Sequence, residues 1–300
     1  MGWKATWVLA VGFILFWNSG FIGAEYTLPY ADPFTVLFWR YLGLTLLLGG
    51  FLMIRRRLRW PGMGAVLISF IIGILSHGVW LGCVFFSLQL GVPAGIVALV
   101  VALQPMATGA LSGSVTGEPT PWYRWVGLLI GFAGVAVAVL ARTDLERADS
   151  VLAYALPFVS ALAITIASLI DRKRELEVTT ERVPIDISLF YQSLGTVLVV
   201  ALPALFLENL STRWTPVFIG VMLWLILAVS LVAYSLMWVL VARVDATRVA
   251  SLFYLGPPVT MIMAWIAFGD RVLVTDLIGL LIVAAGVLLT QSGVKTTRRS

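Results

Sequence analysis

The chain has few residues that carry chemistry. Its 300 residues include one cysteine, Cys83, and one histidine, His77. A single cysteine forms no intramolecular disulfide and gives no information on redox compartment, so we expect Cys83 to be a small apolar packing residue. All three lysines lie outside the apolar runs, and no P-loop, H-E-x-x-H, C-x-x-C or G-x-S-x-G motif occurs. These absences argue against an enzyme, a metal site and a cofactor.

Charged residues are also scarce, and most of the chain consists of long apolar runs. Charged residues make up 12% of the chain, against about 25% in ordinary soluble domains, and mean hydropathy is +1.00. Runs long enough to span a bilayer, about 20 residues each, predict an all-α membrane protein with ten transmembrane helices. The first run is too long for a signal peptide and lacks a clear cleavage site. The ten runs are Trp7–Leu28, Pro33–Ile54, Ala65–Leu88, Pro93–Gly113, Pro121–Leu140, Val151–Ile170, Ile187–Phe206, Pro216–Val241, Thr247–Phe268 and Val272–Gln291.

The basic residues are distributed unevenly between alternate loops. Fifteen lysines and arginines lie on the side of the N-terminus and four on the other side, while Arg40 lies inside a run. The positive-inside rule therefore predicts that both termini are cytoplasmic, which requires an even number of spans. Because these residues do not form one folded basic surface, the pI of about 9.6 does not indicate nucleic-acid binding.

The two halves of the chain resemble each other at an offset of 152 residues. Gly127 to Val135 and Gly279 to Val287 are identical at seven of nine positions. A duplicated unit with an odd number of spans enters the membrane in opposite senses, so we predict two inverted five-helix repeats, residues 1–141 and 151–300, joined by a linker at 142–150. Other matched pairs are Pro105 with Pro257, Gly134 with Gly286 and Glu118 with Asp270.

Proline and glycine mark special places in both halves. Pro105 lies near the middle of the fourth span, and Gly256-Pro257-Pro258 lies at the matching place in the ninth. Helices broken at matching points of two repeats favour a transport cavity there, although membrane helices also simply tolerate proline. The GxxxG spacing of Gly127 and Gly131 predicts close helix packing, within a monomer in preference to a homodimer.

Charged and ionisable side chains within the membrane are candidates for function. Arg40 lies roughly 10 Å from the outer end of the second span at 1.5 Å per residue. It is placed either to pair with Glu25, near the end of the first span, or to bind a carboxylate of a solute. His77 is either a hydrogen-bonded core residue or a ligand contact or proton relay.

Polar and aromatic side chains deep in the spans form the predicted lining of a solute pocket. His77 and Trp80 share a helix face, as do Tyr234 and Trp238, so each pair could stack against an organic solute. The alternative is that many of the aromatic residues face lipid. The predicted set is Trp17, Asn18, Arg40, His77, Trp80, Gln104, Tyr191, Tyr234, Trp238 and Tyr254.

The opening of the chain has a distinctive pattern: Phe16 to Ile22 read FWNSGFI, and Pro33 and Trp39-Arg40 follow. Later segments add the Pro105 region, Gly117-Glu118-Pro119 and Gly269-Asp270-Arg271. With these residues the chain resembles the EamA-type family of the drug/metabolite transporter superfamily. The resemblance implies a ten-helix carrier of the cell inner membrane with a central cavity, usually an exporter of metabolites or amphipathic compounds.

These observations together predict a secondary transporter. We expect it to export a small neutral or zwitterionic metabolite, such as an amino acid or an aromatic compound, by alternating access. Its partners would be that solute and membrane lipid. One alternative is a flippase for a lipid-linked intermediate, which would require a lateral opening and a basic headgroup pocket. Another is a scaffold without transport activity, which the short loops disfavour.

Overall fold

The computed structural model describes residues 3–117, 120–142, 148–176, 183–241 and 252–291. Within these residues the regular structure is helical, apart from an isolated bridge between Ala31 and Thr212. The α-helices are α1 Trp3–Thr27, α2 Pro33–Ile54, α3 Met63–Gly73, α4 Trp80–Gln89, α5 Ala94–Val101, α6 Gln104–Leu111, α7 Gly113–Thr116, α8 Trp122–Leu140, α9 Ala148–Leu176, α10 Ile185–Phe206, α11 Pro216–Leu223, α12 Tyr234–Val241, α13 Gly256–Phe268 and α14 Val274–Gln291. Two π-helical segments, π1 at Ile74–Val79 and π2 at Trp224–Ala233, join α3 to α4 and α11 to α12.

Eight helical stretches in the described part of the chain are long and apolar enough to cross a membrane. α13 and the stretch Val274–Leu289 are apolar but shorter. The second predicted span coincides with α2 from Pro33 to Ile54. The start of the ninth predicted span, like Glu118, Pro119 and residues 143–147 of the predicted linker, lies outside the described residues.

Helices begin at both of the singled-out prolines. The fourth span breaks at Ala102 and Leu103, and α6 then starts at Gln104 with Pro105 in its first turn. α13 likewise starts at Gly256 with Pro257 in its first turn. Proline suits this position because its missing N–H would have no partner in the first turn of a helix. Helices thus start at two positions, Gln104 and Gly256, that are 152 residues apart.

The two π-helical segments also lie at corresponding positions. Residues 74–79 of π1, moved by 152, fall inside the ten residues of π2. Neither segment contains a proline, so no residue type in the sequence signals them. Such segments carry an extra residue per turn, widen the backbone locally and occur often at functional sites.

The most extensive packing joins helices that are far apart in sequence. α2 lies along α10, whose first and last residues, Ile185 and Phe206, each follow those of α2 by 152 residues. α8 lies along α14. Close contacts join Gly134 to Gly279 and Gly127 to Gly286, so the two helices run antiparallel. Glycine is required here because an added methyl carbon on Gly279 would lie 2.5 Å from the carbonyl oxygen of Gly134.

Polar contacts fasten the end of the bundle that holds the α1–α2 turn. Glu208, just after α10, accepts hydrogen bonds from the backbone N–H groups of Phe34 and Thr35, at 3.1 and 2.6 Å, and from the Thr35 hydroxyl at 2.8 Å. This carboxylate therefore caps the N-terminus of α2, where backbone donors lack helical partners. Arg213 donates to the carbonyl oxygen of Pro29 in the same turn.

A second polar contact joins the end of α8 to the start of α14. Arg142 donates to both carboxylate oxygens of Asp276, at 3.0 and 2.5 Å, and to the carbonyl oxygen of Arg271. Asp276 also accepts from the Leu273 N–H at the start of the helix. This bidentate pair, with Asp276 almost fully buried, fixes the loop between α13 and α14.

Candidate functional site

Arg40 is the buried cation around which a polar and aromatic cluster forms. It lies on α2 and is 4% exposed. Its Nε and Nη2 atoms donate to the Ser230 hydroxyl in π2, at 3.3 and 3.0 Å. Ser230 in turn donates to the Leu225 carbonyl five residues earlier, at 3.0 Å, a spacing that the π-helical backbone provides. The guanidinium also lies 5.7 Å from the ring centre of Tyr41.

The predicted pairing of Arg40 with Glu25 is wrong. Arg40 bonds to Ser230 on the opposite half of the chain, and buried Oε2 of Glu25 has no hydrogen-bond partner. Glu25 instead lies close enough to Asp270 for the two carboxyl groups to interact electrostatically. Depth along the membrane normal does not show which way each helix face turns, so the sequence alone does not choose the partner of Arg40.

His77 lies beside Arg40 and stacks on a tyrosine. Its ring centre is 4.9 Å from that of Tyr41, with 29° between the planes, and the residue is 3% exposed. Gln192 and the backbone of Ser76 lie nearby without completing a hydrogen bond to either ring nitrogen. Neither ring nitrogen of the buried His77 has a hydrogen-bond partner among the described residues. The choice between a core residue and a ligand contact stays a prediction.

Aromatic rings form the other wall of the cluster. Trp17 stacks on Trp80 at 6.2 Å with 23° between the planes, and lies 5.2 Å from both Tyr234 and Phe253. The indole N–H of Trp80 is buried without an acceptor. The charge of Arg40 acts on the Tyr234 hydroxyl, so the aromatic wall and the cation adjoin. We call Trp17, Arg40, Tyr41, His77, Trp80, Ser230, Tyr234 and Phe253 the Arg40 cluster.

Asn18 is a structural neighbour of this cluster. Its amide nitrogen donates to the Ile14 carbonyl at 2.7 Å, and its amide oxygen accepts from the Thr260 hydroxyl at 3.0 Å. A methyl carbon on Gly256 would lie 2.8 Å from that oxygen. Asn18 thus ties α1 to the first turns of α13, and Gly256 leaves the space for it.

Four other predicted residues are not joined to the Arg40 cluster by a described contact. Gln104 donates to Thr108 and Ser168, at 3.1 and 3.2 Å. Tyr191 contacts Trp60 and donates weakly to the Arg59 carbonyl, at 3.4 Å, in a separate small core at the far end of α2. Tyr254 packs against the main core. The side chain of Trp238 lies outside the described residues.

The predicted set missed three members of the cluster. Tyr41 follows Arg40 directly in the sequence, and that adjacency was an available signal. Ser230 is the polar side chain that holds Arg40, but a lone serine in a long apolar run carries no sequence signal. Phe253 reaches Trp17 only because α13 begins beside α1, which the sequence does not show.

This fold is that of a multi-pass membrane protein. The model of the EamA-like transporter family matches residues 4–140 and again residues 151–291, so the chain belongs to that family. With this match the chain falls in the EamA-type drug/metabolite transporter superfamily.

Several known proteins are similar to the chain over much of its length. It is 24% identical to the uncharacterized transporter YvbV of Bacillus subtilis, across 98% of this chain and 93% of that protein. An uncharacterized transporter of Archaeoglobus fulgidus is 26% identical across 92% and 94%. The uncharacterized inner membrane transporter YedA of Escherichia coli is 31% identical, but only across 40% of this chain and 39% of YedA. A solved crystal structure with 18% identity has the same fold, with a TM-score of 0.64 over 96% of this chain and 97% of that one.

Proposed function

We propose that this chain is a secondary transporter that exports a small neutral or zwitterionic organic solute by alternating access. An amino acid or an aromatic compound fits this description. The observation that carries the proposal is the Arg40 cluster. It places a cation and open polar atoms beside stacked aromatic rings within the membrane-spanning helices, where charged and polar groups are costly and mark functional sites.

The proposed architecture is two inverted five-helix repeats, residues 1–141 and 151–300, with ten transmembrane helices. Three observations support it. The bounds of α2 and α10 are 152 residues apart, π1 and π2 correspond at the same offset, and the family model matches twice. The antiparallel contact of α8 with α14, through glycines that the offset interchanges, is the contact that an inverted pair would make.

Binding in this site needs a change of conformation. Arg40, His77 and Trp80 are each at most 6% exposed, so the described side chains close the cluster from solvent. The Arg40 cluster draws on both proposed repeats, because Ser230, Tyr234 and Phe253 belong to the second. Each π-helical segment supplies one member, His77 from π1 and Ser230 from π2. We propose that the two π-helical segments are where the helices bend to open the site alternately.

We propose the cell inner membrane as the location, with both termini in the cytoplasm. The asymmetry of lysine and arginine between alternate loops supports this orientation. A cleft open at the surface between α1, α11 and α13 has an apolar lining that includes Ile22, Val221 and Ile266, and no basic residue lines it. It therefore does not supply the headgroup pocket that a flippase would need.

A flux assay tests the proposal. Purified protein in proteoliposomes would be offered a panel of amino acids and aromatic compounds, with and without a pH gradient. We expect uptake of at least one solute, reduced about tenfold or more by Trp80→Ala, because this change removes a stacking wall. Gln104→Ala tests whether the break before Pro105 also contributes. Trp122→Ala, at a side chain 73% exposed, is the control and should leave flux unchanged. If no solute moved under any gradient, the proposal would be wrong.

A further inference from the structure

Within the described residues, Arg40 is buried without an acidic partner. Its described contacts are the neutral Ser230 hydroxyl and the ring face of Tyr41. The ion pairs in the described part of the chain involve other residues, and the electrostatic neighbours of Arg40 are Tyr41, His77 and Tyr234. Arginine stays charged in proteins, and an uncompensated buried charge is expensive, so its natural partner is an anion.

The surrounding side chains add unfilled hydrogen-bonding capacity. Only Nε and Nη2 of the Arg40 guanidinium donate to Ser230. The third nitrogen, Nη1, has no described acceptor. Trp80 offers a buried indole N–H, and His77 offers a ring N–H, both without acceptors. Both residues are more than nine-tenths buried. Three donors from three side chains therefore lack acceptors in one cluster.

We infer that the transported solute carries a carboxylate, which binds Arg40, and an aromatic or apolar body, which stacks on Trp17 and Trp80. This inference rests on the proposed transport function and narrows its substrate class. A carboxylate supplies planar acceptor oxygens that match the fork of a guanidinium, and one negative charge balances the one buried cation. A phosphate dianion would leave excess charge, and a cationic solute would be repelled.

Matched solutes separate the carboxylate from the rest of the molecule. Exchange into proteoliposomes would be measured for L-phenylalanine, for 3-phenylpropionate, which lacks the amine, and for 3-phenylpropionamide, the neutral amide of that acid. We expect both carboxylates to exchange and the amide to be at least tenfold slower. Equal exchange of the amide would overturn the inference while leaving transport itself established. Failure of every solute would instead count against the proposed function.

Substitutions at Arg40 supply the second arm of the test. Arg40→Gln should reduce carboxylate exchange about 30-fold or more without slowing the amide. Arg40→Lys should recover part of the carboxylate exchange, because it keeps the charge without the planar fork. The matched control is Arg124→Gln, at an arginine that donates to Gly109 and Ser112 away from the cluster, and it should exchange as wild type.

A second, smaller substitution keeps the test valid if Arg40→Gln fails to fold. Ser230→Ala retains the cation but removes the hydroxyl that orients it. We expect a KM for the carboxylate raised about three- to tenfold, with the maximal rate and thermal stability near wild type. If Arg40→Gln and Ser230→Ala both folded normally and exchanged carboxylates at wild-type rates and KM, the cluster would not be the carboxylate site.

Discussion

Gly134 and Gly279 meet so closely that a methyl carbon on Gly134 would lie 2.6 Å from the carbonyl oxygen of Gly279. The offset-related contact joins Gly127 to Gly286. In lipid, where apolar surface gives little drive for helices to associate, such backbone proximity decides which helices pair. The contact joins two helices of the same chain.

We therefore expect Gly134→Ala to destabilise the protein by roughly 1–3 kcal/mol, the usual cost of overpacking. Thermal unfolding in detergent would measure this. Gly50→Ala on α2 is the matched control, since nothing lies within 4 Å of its added carbon. The control should unfold at or slightly above the wild-type temperature, because alanine favours helix over glycine by about 1 kcal/mol. Equal melting temperatures for the two variants would refute the steric argument.

A second stability prediction concerns the Glu208 carboxylate, which caps the start of α2. Glu208→Ala leaves two backbone N–H groups at the start of α2 without acceptors, and we expect a loss of roughly 1–3 kcal/mol. Glu208→Gln keeps one acceptor oxygen, so its loss should be intermediate. Hydrogen exchange at Phe34 and Thr35, read by mass spectrometry, would locate the effect. Unchanged protection there in the alanine variant would mean that the cap does not hold in solution.

Asp270 predicts a dependence of stability on pH. Burial raises the pKa of this carboxyl above its ordinary value of 3.8, and the nearby Arg142 only partly opposes the shift. A raised pKa means that the folded state binds the proton more tightly than the unfolded state. The contribution of Asp270 is therefore favourable at low pH and is lost as pH rises from 3.8 through the raised value.

Asp270→Asn tests this dependence, since asparagine remains neutral. Melting temperatures of wild type and variant would be compared from pH 3.5 to 8. We expect the difference to move in favour of the variant as pH rises and to level off near neutral pH. A difference that stayed constant over the whole range would contradict the prediction.

The sequence predicts more of the secondary structure than of the packing. Apolar length fixes the bounds of α2, and proline chemistry fixes the starts of α6 and α13. The π-helical segments escape prediction because no residue type marks them. The order of helices along the chain does not show which of them pair. α2 pairs with α10 because small residues and side-chain shape decide which helices pack in lipid.

For the candidate site, too, the sequence predicts which residues take part better than it predicts their contacts. Arg40, His77, Trp17, Trp80 and Tyr234 are predictable because polar and aromatic side chains are conspicuous in apolar helices. Their mutual contacts are not, since helix rotation decides whether Arg40 meets Glu25 or Ser230. A rotation of one residue, about 100°, turns a side chain to a different neighbour.

The pairing of α2 with α10 has a consequence for biosynthesis. About 130 residues separate the end of α2 from the start of α10. A ribosome that adds roughly 5–20 residues per second therefore needs on the order of 10 s to synthesise the chain between them. During that time α2, which carries Arg40, lies in the bilayer without its partner helix α10. Nascent chains stalled before α10 should therefore be recognised by membrane quality-control proteases, whereas chains released after α14 should not.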